Sequence, residues 1–456
     1  MAFIHSLLGI STFPRELQSL SLRFFCLEGV VTGIYLSYSW ISLYYLSILN
    51  SFSTFSIIVA IGMFFGAILD VPLGILTDCF GQRTAFSGAF LCLMIYYFGL
   101  ILVNHPIELV LLEILVGIYS ALLSGSFISW FLNSWESAAA KYPETGLLFR
   151  NIMGNVSFAK SIFIAIITFI GGILLRQDGI LPQFIFLIQA IVAALGVILG
   201  LKLISTPVAL KNVSSTKSLS KRFECSHSKL VLLRTSLRKN YYSVIPFFIS
   251  FSLLSFTSVS FSTLVFSPLL YQINSSIHPF NRNEFIIRYT DLSIILITLT
   301  HSLSNVLFAI SSRFSGKVTS FIQSSYKGIL IFYILDYPVV WMAYLLVLIC
   351  NLPTYIQLSL IILIFLFKII LSGLATGLYW QLYLKITSSK CRSSQESLFN
   401  TINLLLSLIG FGMIGIILES ASFIGTLMFL FLISCLGIVS LIAAKNPEII
   451  PIDKSY

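Results

Sequence analysis

Seven ionisable side chains lie inside long apolar stretches of this sequence, where a charged group is expected either to be paired or to have a functional role. The acids are Glu28, Asp70, Glu113 and Asp336, and the bases are Lys160, Lys368 and His301. An ionised group at the centre of a hydrocarbon layer costs at least about 2.5 kcal/mol. An acid shielded from water can load and release a proton, whereas an acid paired with a base is structural. Both interpretations are therefore open for each residue.

The possible pairs and carriers differ between these residues. We weigh Asp70 as a proton carrier against a structural pair of Asp70 or Glu113 with Lys160. For Glu28 the roles of proton carrier and structural ion-pair member are equally expected. Lys368 can neutralise an anionic ligand or pair with Asp336, and pairing is the plainer expectation. His301 is expected to be a hydrogen-bonded packing residue rather than a proton relay.

The elements that must hold these groups are apolar helices. Of the 456 residues 57% are hydrophobic and only 10% are charged, and the mean hydropathy is +0.98. Soluble domains carry about 25% charged residues, so a soluble enzyme, a disordered chain and a nucleic-acid binder are excluded. A helix that crosses a lipid bilayer needs about 20 apolar residues. We predict twelve such membrane-spanning helices, called spans below, over 25–47, 54–77, 85–104, 107–131, 152–175, 180–204, 242–272, 290–312, 328–350, 355–384, 397–418 and 421–443.

The net charge of +10 indicates how the chain is oriented in the membrane rather than a nucleic-acid partner. With both termini in the cytoplasm, cationic residues concentrate in cytoplasmic segments or at their helix ends, as the positive-inside rule requires. The exceptions among the 27 Lys and Arg are Lys160, Arg176, Arg282, Arg288 and Lys368. The seven cysteines form neither a CxxC metal site nor a disulfide framework. We predict a multi-pass protein of the plasma membrane, which is the inner membrane if the source is bacterial.

One long polar segment divides the chain. Residues 205–240 contain eight Lys and Arg against the single acid Glu224, among many Ser and Thr. This composition is typical of a tether. We predict an N-terminal six-helix bundle (1–204), a basic cytoplasmic linker (205–240) and a C-terminal six-helix bundle (241–456). Six helices repeated after a central loop is common in secondary transporters.

The stretch 70–83 carries a recognisable motif between the second and third spans. It reads DVPLGILTDCFGQR, and Gly74, Asp78, Gly81 and Arg83 fit the pattern G-x-x-x-D-x-x-G-R-[KR]. This resembles the signature loop of the major facilitator superfamily, and the upstream D-x-P-x-G resembles its drug-exporter-like branch. The resemblance implies an all-α fold of twelve helices in two six-helix pseudo-repeats.

The same resemblance implies a conformational switch at Gly74, Asp78, Gly81 and Arg83. Asp78 would meet the N-terminal end of the eleventh span, near 393–396, where the helix dipole favours an anion. Gly81 permits backbone angles that a side chain forbids. The alternative is an exposed turn acid.

Two further stretches are similar to family patterns but incomplete. Residues 124–134 read SGSFISWFLNS, similar to a segment of exporter-like members, with Asn133 in place of the usual acid. Residues 169–172 read FIGG and match the end of the antiporter motif, without its proline. The missing proline weakens the expectation of proton antiport.

The resemblance implies a secondary active transporter that moves a small organic solute by alternating access. Proton-coupled export of a drug, siderophore or metabolite is the first hypothesis, with Glu28, Asp70, Glu113 and Lys368 as transport or coupling candidates. Aromatic residues of the first and seventh spans would suit amphipathic or cationic organic molecules. The alternatives are a nutrient symporter or facilitator of the same fold and a non-transporting receptor. The sequence offers no phosphate-binding loop or catalytic constellation, so we expect neither an enzyme nor a cofactor, and a monomer is usual in the family.

Overall fold

The computed structural model describes residues 13–49, 51–124, 126–139, 141, 148–176, 181–204, 241–275, 292–322, 325–350, 352–386 and 392–443. In these ranges the chain is almost entirely helical. The predicted linker 205–240 lies outside the described residues, as do Arg282 and Arg288.

The described residues of the first half form six helical spans. Helix α1 runs over Arg15–Gly33 and continues through a 3-10 turn (Ile34–Ser37) into Ile41–Leu49. The next spans are α2 (Phe52–Phe80), α3 (Gln82–Leu102), α4 (Pro106–Ser124 and Phe127–Ala139), α5 (Leu148–Arg176) and α6 (Pro182–Leu203).

The second half repeats this arrangement. Helix α7 comprises Tyr241–Ser260, a π-helical segment Phe261–Phe266 and Ser267–Ser275, and α8 is Leu292–Ile322. Helix α9 comprises Ser325–Ile334, a second π-helical segment Leu335–Val339 and Val340–Ile349, and α10 is Thr354–Ile386. The last helical stretch, Arg392–Ala443, is broken at Ser422 (φ 66°, ψ −178°) into α11 (392–421) and α12 (423–443).

Eleven stretches of the described chain are long and apolar enough to cross a membrane. The last of them covers Phe399–Ala443, 45 residues, and the break at Ser422 divides it into two spans. The twelve spans predicted from the sequence are thereby confirmed, with different ends. Helix α1 begins at Arg15 instead of 25, and α8 continues to Ile322 instead of 312. Hydropathy marks only the part of a helix that must be apolar, so it misses turns that continue beyond that part.

The outer surface of the bundle is apolar along whole helices. On α6 the exposed side chains include Phe184, Ile191, Leu195 and Ile198. On α12 they include Met428, Leu432, Leu436 and Val439. Exposed apolar stripes of this length are rare on soluble monomers. Together with the spans they identify a multi-pass membrane protein.

The helices alternate in direction, so α1, α3, α5, α7, α9 and α11 begin at the same face of the bundle. We call this the terminal face, because α1 begins there and α12 ends there, and the other the opposite face. At the terminal face α2 turns directly into α3 at Gly81, with φ 93°. That angle favours glycine, as the motif predicts.

Candidate functional site

A cavity of about 460 Å³ lies between the two halves of the protein. Its walls come from α1 and α5 of the first half and from α7, α8 and α10 of the second. The size is that of a small-molecule site. The charged side chains among its lining residues are Lys160 on α5 and Lys368 on α10.

Lys160 forms an ion pair with Glu28 of α1. Its Nζ lies 3.0 Å from Glu28 Oε2, and the lysine side chain is 32% exposed against 10% for the glutamate. The base therefore faces the cavity and the acid lies behind it. The suggested pairing of Lys160 with Asp70 or Glu113 is wrong, because the partner comes from α1.

Lys368 lies in a second, more deeply buried pair. Its Nζ is 3.3 Å from Asp336 Oδ1, and the two side chains are 2% and 0% exposed. It also donates to Ser258 Oγ at 3.0 Å and sits 4.8 Å from the centre of the Tyr337 ring. Ser372 donates to the other Asp336 oxygen at 2.5 Å. The expected pairing of Lys368 with Asp336 is confirmed.

Asp336 lies within the π-helical segment of α9, which also contains Pro338. A π turn adds one residue to the helical turn and is common at functional sites. The π-helical segment of α7 contains Phe261 and Ser262, which both line the cavity. Both irregular segments therefore supply residues to the cavity or to the pair at its wall.

His301 of α8 joins the cavity wall to the junction between the halves. Its Nε2 lies 3.3 Å from Ser267 Oγ, and Ser267 donates to the backbone carbonyl of Ser39 at 3.3 Å. The Ser39 hydroxyl in turn lies 3.2 Å from that of Thr298. The imidazole is 3% exposed and contacts three aromatic rings edge-on. The expectation of a hydrogen-bonded packing residue is confirmed.

Asp70 lies outside the cavity lining, at the junction of α2, α4 and α11. Oδ1 accepts from Ser124 Oγ at 2.6 Å. Oδ2 accepts from Asn400 Nδ2 at 3.0 Å and from Thr401 Oγ1 at 3.4 Å. Ser124 begins the second motif found in the sequence, so the two motifs meet here, and Asp70 links the two halves near the terminal face.

Near the opposite face, the same contact between α2 and α11 contains a second carboxylate, which here belongs to α11. Glu419 accepts from Ser51 Oγ at 2.6 Å and from Ser53 through its hydroxyl at 2.7 Å and its backbone N–H at 3.2 Å. Ser51 is the N-cap of α2, where the helix dipole favours an anion. Between the two carboxylates a side chain on Gly415 would overlap Ser56 of α2.

Helices α5 and α8 form a second contact between the halves. Near the opposite face a side chain on Gly172 would overlap Thr298. Near the terminal face the Arg313 guanidinium lies 5.3 Å from the centre of the Phe158 ring. The FIGG stretch therefore lets α5 pack closely against α8. In this conformation the halves are in contact on both sides of the cavity.

Glu113 lies inside the first half and does not line the cavity. Its Oε1 accepts from Tyr45 at 2.7 Å, and the Tyr45 hydroxyl lies 2.9 Å from that of Tyr96. Gly62 packs against the Glu113 backbone and carboxylate. The arrangement is that of a satisfied buried acid.

The residues of the signature motif lie around the α2–α3 turn. Gly74 is half-buried and Arg83 is exposed. The backbone of Asp78 belongs to the last turn of α2, but its side chain and those of 393–396 lie outside the described side chains. The contact of Asp78 with the start of α11 therefore stays a prediction.

Sequence reasoning missed the α11 residues Asn400, Thr401 and Glu419, which form the polar contacts between α2 and α11. Neutral Asn and Thr carry no signal inside a helix, and Glu419 lay at the predicted boundary between two spans. Of the aromatic residues predicted for the cavity, Tyr35, Tyr38 and Phe261 line it. The described residues contain no metal-binding cluster of His, Cys, Asp and Glu.

Neither a family model nor a curated protein matches this sequence. Solved structures match its fold over nearly the whole length. A mutant of the nucleoside transporter NupG aligns with TM-score 0.64 at 15% identity, covering 93% of this chain and 98% of its own. A D-xylose–proton symporter aligns with TM-score 0.64 at 14% identity, covering 94% and 98%.

The xylose transporter XylE from E. coli, in a partially occluded inward-open conformation, aligns with TM-score 0.66 at 13% identity, covering 94% of this chain and 97% of its own. These likenesses confirm the predicted fold, that of major facilitator transporters. They give no support to the drug-exporter-like branch, since the proteins matched here are named for nucleoside and xylose transport.

Proposed function

We propose that this protein is a secondary active transporter that moves a small organic solute across the plasma membrane by alternating access. The observation that carries the proposal is the cavity between the halves, with contacts that join the halves on either side of it. Breaking one set of contacts while keeping the other would open the cavity to one face at a time.

We propose uptake rather than export as the direction. Two of the transporters similar in fold are named for a nucleoside and for D-xylose, and the second is named a proton symporter. The incomplete antiporter motif at 169–172 supports the same choice. The domain division at 204 and 241, the cytoplasmic termini and a monomeric state belong to the proposal as expected from the sequence.

We assign proton coupling to Glu28 rather than to Asp336, because the lysine paired with Glu28 is 32% exposed whereas the lysine paired with Asp336 is 2% exposed. Its partner Lys160 faces the cavity, so a solute that draws Lys160 away would leave Glu28 uncompensated. A buried carboxylate without a partner costs several kcal/mol, and a proton on Glu28 removes that cost. Asp70, hydrogen-bonded across the halves, is assigned to closing the terminal face.

Flux through proteoliposomes tests this function. Purified protein is reconstituted with a pH-sensitive dye inside, an inward proton gradient is imposed, and nucleosides, pentoses and aromatic acids are added in turn. We expect one class of solute to accumulate together with protons. In Glu28→Gln we expect solute exchange to continue while proton-driven accumulation is lost.

Other outcomes would point elsewhere. Solute movement without proton flux would indicate a facilitator. Solute accumulation driven only by an outward proton gradient, with solute and protons moving in opposite directions, would restore the export hypothesis. Absence of any flux across the panel would favour the receptor. Glu16→Gln is the matched control, because it makes the same change of charge in an acid that pairs with Lys141 far from the cavity, and both side chains are at least half exposed.

A further inference from the structure

We propose that the cavity binds a small organic anion, and that Lys160 is the residue that holds its acid group. This inference rests on the proposed function, because it names the class of solute that the cavity would carry. It departs from the nucleoside and sugar for which the structural relatives are named.

Among the described residues, the charged groups at the cavity wall are of one sign. Lys160 and Lys368 line it, whereas their partners Glu28 and Asp336 do not. In each pair the lysine, and not the acid, reaches the cavity. A cationic solute would therefore meet two ammonium groups before either acid, so the aromatic cavity for cations considered from the sequence is disfavoured.

Lys160 is the lysine that is placed to bind a ligand. Its side chain is 32% exposed, and Glu28 is its partner among the described residues. An ammonium has three protons to donate, so protons remain for an oxygen in the cavity. Lys368 is different, because its side chain is 2% exposed and its Nζ already contacts Asp336, Ser258 and the Tyr337 ring.

The surroundings of Lys160 suit a carboxylate on an aromatic body. Ser157 and Ser161 line the cavity on the same helix as Lys160, and their hydroxyls can donate to a carboxylate. Across the cavity the wall is formed by Phe261, Phe308 and Phe365, which can pack against a ring. A single-ring aromatic acid therefore satisfies both sides of the cavity.

Direct binding to the full-length protein in lipid nanodiscs tests this assignment. The probes are benzoate, 4-hydroxybenzoate and phenylacetate, each beside its uncharged amide, measured by isothermal titration with empty nanodiscs subtracted. A charge-assisted hydrogen bond to the acid predicts that at least one acid binds about tenfold or more tightly than its amide.

Three variants separate a ligand contact from a structural role. Glu28→Gln removes the competing acid and should keep or raise the affinity for the acid. Lys160→Gln combined with Glu28→Gln removes both charges together, so that no buried charge is left unpaired, and should abolish the preference for acid over amide. Lys141→Gln combined with Glu16→Gln likewise removes an ion pair without changing the net charge, at a distant exposed site, and should change nothing.

The proposal is overturned by any of three results. These are acids that do not bind, acids that bind no better than their amides, and a preference for acids that survives the double variant. Binding does not require transport, so the two proposals fail separately. Acid binding without flux would contradict the transporter, and flux of a neutral solute without acid binding would contradict the anion.

Discussion

Replacing Asp336 by asparagine should destabilise the second half of the protein by about 3–5 kcal/mol. The substitution removes the anion that balances Lys368 at 3.3 Å, and neither side chain of the pair is more than 2% exposed. Asparagine keeps the shape and an acceptor oxygen for Ser372, so the loss comes from the charge. Leaving one member of a buried pair without its partner carries a cost of about this size.

The double variant Asp336→Asn with Lys368→Met decides whether this explanation holds. With both charges gone no unpaired ion remains at this site, and the free energy of unfolding should return to within about 1 kcal/mol of the wild type, since buried pairs contribute little net stability over apolar replacements. Unfolding in mixed detergent micelles can be followed by tryptophan fluorescence, because the Trp341 ring centre lies 5.7 Å from the Lys368 ammonium. A double variant as unstable as Asp336→Asn alone would refute the reasoning.

Three further variants test the packing described above, each by the same unfolding measurement. Gly415→Ala should lower the free energy of unfolding by about 1–3 kcal/mol, because its side chain would overlap α2. The control Gly412→Ala, with open space around it, should be neutral. Equal effects of the two substitutions would contradict the close contact of α2 and α11. Gly81→Ala should cost about 1–2 kcal/mol because of its φ of 93°, and a neutral result would contradict the turn. Glu113→Ala should cost about 1–3 kcal/mol by leaving Tyr45 without its acceptor while acid binding stays unchanged, and a lost preference for acids would contradict its distance from the cavity.

The twelve spans could be predicted from the sequence because the requirement for a long apolar run is local. The helix ends could not, because α1 and α8 continue past the apolar part. The breaks within spans were also missed. The π-helical segments of α7 and α9 contain Phe261 and Asp336, and a hydropathy pattern does not distinguish a π turn from an α turn.

The candidate site was predictable only in part. A lysine inside an apolar run needs a partner, and for Lys368 the sequence offered the right acid, Asp336. For Lys160 it offered the wrong ones, because Glu28 lies 132 residues away on α1 and only the fold brings the two together. The contacts of Asp70 with Asn400 and Thr401 were invisible for the same reason, since neutral polar residues in a helix look like ordinary packing.

Distances across the two faces of the protein test most directly the central claim, that the two halves move about the cavity. Spin labels are placed at exposed positions, Lys202 and Ala443 on the terminal face and Asn104 and Tyr355 on the opposite face, in a variant without native cysteines.

We predict opposite responses to two substitutions at the contacts between the halves. Asp70→Ala removes the acceptor of Asn400 and Thr401, so the distance on the terminal face should lengthen. Glu419→Ala removes the acceptor of Ser51 and Ser53, so the distance on the opposite face should lengthen. If neither variant moved either distance, or if both lengthened the same one, alternating access between these two halves would be contradicted.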